Sequence, residues 1–117
     1  MTVVYIAGPF RGPTPWVIEQ HVRTAEALAF AVAQIGAMPL CPHTNTRFFH
    51  GTMTDEFWLD GTIELMSRCD AVVLTSDWHQ SQGARGEVAR AHQLSLPVFE
   101  DLDALRSWLQ RGEGVKS

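Results

Sequence analysis

The sequence predicts an α/β domain, a doubly wound parallel sheet of four to five strands with helices on both faces. Two observations predict it. Short apolar, β-branched runs alternate along the chain with stretches of helical period, which is the order an open parallel sheet requires. The strand-like runs are apolar on both faces, as strands covered from two sides must be. The 117 residues suit one domain, with a core and no need of staples.

Val3–Ala7 is the first strand, stopped by Gly8 and Pro9. Thr14 and Pro15 read as an N-cap followed by Pro at the first helical position. Ile18, Val22, Ala25, Ala29 and Val32 then repeat at steps of three and four, and Gly36 closes that helix. Ala37–Cys41 is a second strand, and Pro39 argues for an edge position. Pro42–Glu56 shows no period and is long for a connection, the usual mark of a functional loop. Phe57–Arg68 is a moderate helix, and Asp70–Thr75 is the clearest buried strand after the first. Ser76–Gln82 is a loop, Gly83–Leu94 a helix with Ala84, Val88 and Ala91 inward, Leu96–Phe99 a short strand, and Asp101–Arg111 a final helix striped by Leu102, Leu105 and Leu109. Residues 1–111 are thus expected to form the domain and 112–117 a flexible tail.

Composition narrows the function classes. Hydrophobic residues at 45% and charged residues at 19% argue against disorder, and the net charge of −4 lacks the electrostatic footprint of a duplex nucleic-acid binder. No apolar run approaches a membrane span, since the longest, Ala25–Ile35, is broken by Glu26 and Gln34. Two cysteines, Cys41 and Cys69, make no disulfide framework, and Met1 and Thr2 lead straight into a strand. A cytoplasmic protein without a signal peptide is therefore expected. The five histidines lack zinc-like spacing, so no metal is expected, and no cofactor.

In an open parallel sheet ligands bind beyond the carboxyl ends of the strands. The loop after the first strand offers Gly8 and Gly12 for close backbone approach and Arg11 as a fork for phosphate or carboxylate. Its spacing fits neither a dinucleotide fingerprint nor a Walker loop, and its glycines can equally serve the turn alone. After the third long strand, Trp78-His79-Gln80-Ser81-Gln82-Gly83-Ala84-Arg85-Gly86-Glu87 sets Ser81 and Gly83 at a helix N-terminus, a ready anion site. Glu87 lies just past that helix's first turn, where the dipole favours its ionised form and suits a nucleophile or base. An N-cap serine and a dipole-balancing glutamate would explain the same residue types. In the middle loop His43 can titrate near neutrality or bind a sugar hydroxyl, and Asn45 stands two residues on. Phe48, Phe49, Phe57 and Trp58 are too many aromatics for a free loop, and are expected to cover the pocket or meet a partner subunit.

Y-I-A-G-P-F-R-G at the first strand, F-W-L and C-D-A-V-V-L around the third long strand, and W-x-x-S-x-G-A-R-x-E after it resemble the nucleoside 2-deoxyribosyltransferase-like superfamily, above all its small bacterial and phage branch. The resemblance spans about Val3 to Phe99 in register. It implies a doubly wound, flavodoxin/Rossmann-like fold, a homodimer or larger assembly, and activity as a deoxyribosyltransferase or a nucleoside 5′-monophosphate N-glycosidase. By that resemblance Glu87 attacks the anomeric carbon, Tyr5 orients it, and Ser81 binds the 5′-phosphate with help from Arg11 and the loop backbone. Gly8, Gly12, Asn45, Trp78, Gly83 and Arg85 are the further candidate binding residues, Trp78 either stacking on a base or packing in the core. The small-molecule partner would be a nucleoside or nucleotide. The family's usual Asp, eight residues before the Asp that opens the strand, is Thr62 here. Asp60 or His43 would have to supply the proton transfer, or the chain binds a nucleotide without cleaving it.

Overall fold

The computed structural model describes residues 1–46, 49 and 51–112. The described residues form, in order, β1 (Val3–Ala7), α1 (Pro15–Gln34), β2 (Met38–Leu40), α2 (Pro42–Asn45), α3 (Asp55–Ser67), β3 (Ala71–Leu74), α4 (Gln82–Gln93), β4 (Val98–Phe99) and α5 (Leu102–Gln110). A 3-10 turn, Trp78–Gln80, precedes α4. The sheet is parallel throughout, in the order β2-β1-β3-β4. Pro39 sits in edge strand β2 opposite Val4, where a missing N–H costs no ladder bond on the outer side.

Side chains alternate across β1 and β3 and divide the core between two faces. Val4, Ile6, Ala71 and Val73 pack with Ala25 and Val32 of α1 and Leu105 of α5. Tyr5, Ala7, Val72 and Leu74 pack on the other face with Met66 of α3 and with Val88 and Ala91 of α4. This alternation carries the fully buried Tyr5 to the α3/α4 side.

Local capping sets the helix starts. The Thr14 side chain accepts the Val17 N–H at the head of α1, and Ile35 and Gly36, the latter at φ +96°, end it. Thr54 accepts the Phe57 N–H, so α3 begins at Asp55, two residues before the apolar pattern does. Within the stretch that lacks periodicity, Pro42–Asn45 forms one short helical turn. Phe48 of the expected aromatic cover lies outside the described residues, as does the expected tail beyond Gly112. No described helix is long and apolar enough to cross a membrane.

Candidate functional site

The strand order reverses between β1 and β3. β1 leads to α1 on one face and β3 to α4 on the other, so the loops at their carboxyl ends part and open a crevice. The two strand ends are pressed close: a Cβ on Gly8 would stand 2.4 Å from Thr75 Oγ1 and 2.6 Å from its methyl carbon. Thr75 Oγ1 in turn donates to Asp77 Oδ1 at 2.7 Å, and the Thr75 N–H donates to the Ala7 carbonyl at 2.9 Å. The crevice floor is therefore rigid, and glycine at position 8 is a steric requirement.

His43, 5% exposed, faces the Pro9 carbonyl at 2.8 Å and the Gly8 carbonyl at 3.2 Å through Nε2. Two carbonyls can only accept, so Nε2 carries the proton. Burial lowers the His43 pKa and keeps the ring neutral. This histidine clamps the β1 loop, and Phe10 packs edge-on against it.

The crevice has two parts that share Arg11, Asp55, Leu59, Ser81, Gly83 and Glu87. A broad cleft of about 1170 Å³ runs between α3 and α4 and is bordered by Arg11, Asp55, Asp60, Ser81, Gly83 and Glu87. A recess of about 180 Å³ is bordered by Phe10, His43, Trp58, Thr62, Ala84 and Glu87. Both Thr62 and Asp60 therefore face site volume: the former the recess, the latter the cleft. Asp60 is exposed, and the Thr62 hydroxyl donates to the Leu59 carbonyl at 2.9 Å.

Glu87 is the sixth residue of α4, on the helix face turned to Tyr5. The Tyr5 hydroxyl donates a short hydrogen bond to Glu87 Oε2. Burial pushes the Glu87 carboxyl up to about 7, against the smaller lowering effect of the Tyr5 bond. Here the structure corrects the expectation of a carboxylate held ionised by the helix dipole: that effect fades beyond the first turn, and desolvation wins. Burial first, and Glu87 second, raise the Tyr5 pKa, so the phenol stays protonated.

This inversion has a measurable consequence for stability. Below the unfolded value of 4.5 the Glu87 carboxyl is protonated in both states and costs nothing. As the pH rises toward 7, the unfolded chain ionises freely and the folded chain resists, so stability falls by up to about 3 kcal/mol. Glu87→Gln should therefore stabilise the chain at pH 8 and leave it nearly unchanged at pH 4, as read from urea melts. An equal gain at both pH values would rule out burial of the carboxyl as the cause.

The other site candidates occupy varied places. Ser81 caps α4, its Oγ accepting the Ala84 N–H at 3.1 Å, and Gly83 lies beside it with a Cβ position 3.7 Å from that oxygen. Arg11 pairs with Asp55 at 3.1 Å across the cleft mouth, both side chains 69% exposed. Gly12 packs against Val17, whose Cγ1 would lie 2.5 Å from an added Cβ. Arg85 donates to the His79 carbonyl at 2.5 Å and ties α4 to the 3-10 turn. Trp78 packs against the Tyr5-side core, its ring 4.1 Å from that of His79, and borders neither cleft nor recess. Asn45 is exposed on α2, also outside both walls. Sequence reasoning missed Thr75, Asp77 and Asp55, whose parts depend on which loops meet. The Thr54 cap before Asp55 was the one available signal.

A family model described as a domain of unknown function, DUF7768, matches residues 2–101. No curated protein sequence matches the chain. Among solved structures, the 2-deoxyribosyltransferase of the psychrotolerant bacterium Bacillus psychrosaccharolyticus superposes with a TM-score of 0.60 at 21% identity, over 83% of this chain and 69% of that one. The corresponding enzyme of Leishmania mexicana gives a TM-score of 0.59 at 18% identity, over 84% of this chain and 62% of that one. The chain thus spans under two thirds of the Leishmania protein, and both likenesses are likenesses of fold.

Proposed function

The chain belongs to the DUF7768 family, and we propose that it cleaves or transfers the N-glycosidic bond of a nucleoside or nucleotide, with Glu87 as nucleophile and a 5′-monophosphate preferred. The observation that carries this reading is the Tyr5–Glu87 pair, set at the strand-order reversal where a small recess meets a broad cleft. The 2-deoxyribosyltransferases that share the fold act on the same class of bond.

With Oε2 held by Tyr5, Glu87 Oε1 is the free oxygen. It attacks the anomeric carbon as the carbon–nitrogen bond breaks, and the base departs with the electron pair and takes up a proton. The sugar is left as an ester on Glu87. Water or a second base then attacks the same carbon, and the carboxylate leaves with the ester's electron pair. Asp60, which borders the cleft and not the recess, is the carboxyl we assign to proton delivery to the base, through water in the cleft. His43 is a poor choice, because its Nε2 proton is engaged by two carbonyls. Arg11, the Ser81 hydroxyl and the first N–H groups of α4 together form the phosphate cradle.

Binding without cleavage is the second reading. It is favoured by Thr62, which brings no carboxyl to the recess at the position where the resemblance expects one. One experiment separates the two. Ribo- and deoxyribonucleoside 5′-monophosphates and the unphosphorylated nucleosides are incubated with the protein, and free base is quantified by chromatography. Base release supports the first reading, whereas saturable binding with no base after long incubation supports the second. For the phosphate, Arg11→Ala should raise KM for the monophosphate about tenfold and leave the plain nucleoside unaffected. Equal effects on both would remove Arg11 from the cradle.

A further inference from the structure

Two buried side-chain polar atoms have no hydrogen-bond partner among the described residues, His43 Nδ1 and Trp58 Nε1. Buried polar atoms are nearly always paired, so each unpaired one calls for an explanation. These two belong to residues that border the same recess, beside Glu87. Their chemistry is fixed and opposite. Because Nε2 of His43 donates to the Gly8 and Pro9 carbonyls, Nδ1 is a bare acceptor, while the indole N–H can only donate. The recess has a volume of about 180 Å³, and Phe10 and Trp58 give it aromatic walls.

We propose that Trp58 Nε1–H and His43 Nδ1 read the edge of the ligand's heterocyclic base, one donating to a ring or carbonyl acceptor, the other accepting from an N–H. This rests on the reading of the crevice as a nucleoside site and adds to it the residues that select the base. A sugar hydroxyl could satisfy the same two atoms, but aromatic walls suit a flat heterocycle better. Both atoms are closed to solvent in the free chain, so binding requires a change of rotamer at the recess mouth, an ordinary adjustment in ligand sites. Phe57 and Phe49 pack on Trp58, with rings 5.0 Å and 6.0 Å from its own, and each is half exposed, so they can yield as Trp58 turns.

The test uses Trp58→Phe, which deletes the N–H and keeps an aromatic ring. Calorimetric titrations with adenosine, inosine, cytidine and uridine 5′-monophosphates, and with ribose 5-phosphate, are run on Glu87→Gln protein with and without this change. We expect the tightest-binding nucleotide to lose about tenfold in affinity and ribose 5-phosphate to lose none. The melting temperature should hold or rise, because the deleted donor had no partner to lose. In parallel, the ¹⁵N resonance of His43 Nδ1 should move on adding that nucleotide while Nε2 stays put. Equal nucleotide affinity in both proteins, equal loss for ribose 5-phosphate, or an unmoved Nδ1 resonance would overturn the assignment while leaving the nucleoside site intact. Failure of every nucleotide to bind either protein would overturn both.

Discussion

Replacing Glu87 with Gln should lower turnover by roughly a thousandfold or more while nucleotide affinity stays within about tenfold. The substitution preserves shape, and the amide oxygen can still accept the Tyr5 hydroxyl bond, so the recess and cleft keep their walls. What it removes is the only atom in the pair able to form the sugar ester. The wild type carries a second signature of the same residue. With the carboxyl pushed up to about 7, the ionised nucleophile is a minority below that pH. The logarithm of kcat/KM should therefore rise with unit slope up to about pH 7 and level off above it. Tyr5→Phe deletes the bond that lowers this pKa, so the rising limb should move to higher pH. A merely structural role for Tyr5 would change the plateau and leave the limb where it was.

The second large effect is structural. Gly8→Ala should destabilise the chain by about 2–3 kcal/mol, because the new Cβ falls 2.4 Å from Thr75 Oγ1 at the base of the crevice. The two strand ends are held by the Thr75 N–H to Ala7 carbonyl bond, so the clash cannot relax without parting β1 from β3. Thr75→Ala in the same chain removes the two closest atoms and leaves Cβ at 3.1 Å, a contact a small shift can absorb. A double-mutant cycle should accordingly give a coupling of about 1–2 kcal/mol in the direction of rescue. Gly61→Ala is the control: nothing lies within 4 Å of its Cβ position in α3, and helix propensity should make it stabilising by roughly 0.5–1 kcal/mol. Denaturant midpoints measure the wild type, the two single variants and the double variant of the cycle, and the Gly61→Ala control. An additive cycle would show that the close approach of Gly8 and Thr75 carries no energy.

The parts of this molecule legible in its sequence are those set by local rules. Thr14-Pro15, Gly36, the stripe through Val22 and Val32, and the apolar runs of β1 and β3 each depend on neighbours a few residues away, and they were enough to imply a parallel sheet and its loop-bearing edge. Glu87 and Ser81 were legible for the same reason, since one helix start places both. Electrostatics was not. The helix dipole is a local term and burial is a global one, so the sequence pointed to an ionised Glu87 and the packed structure holds it near half-protonation at neutral pH. Trp78 and His43 illustrate the same limit. An aromatic and a histidine beside a crevice look alike in sequence, yet Trp78 packs half-buried against the Tyr5-side core while His43 holds the Gly8 and Pro9 carbonyls through Nε2 and leaves Nδ1 unpaired. The Arg11–Asp55 pair joins residues 44 positions apart, beyond what spacing can show.

The central claim is that Glu87 bears the sugar during turnover, and mass spectrometry of the acid-quenched protein tests it most directly. Wild-type protein is mixed with whichever nucleotide of the panel releases base, quenched within the first turnovers, and digested. We expect a fraction of the peptide containing Glu87 to carry the mass of one anhydro sugar phosphate, and we expect no such peptide from Glu87→Gln. Base release with the adduct on another residue would contradict the account, as would base release undiminished in Glu87→Gln.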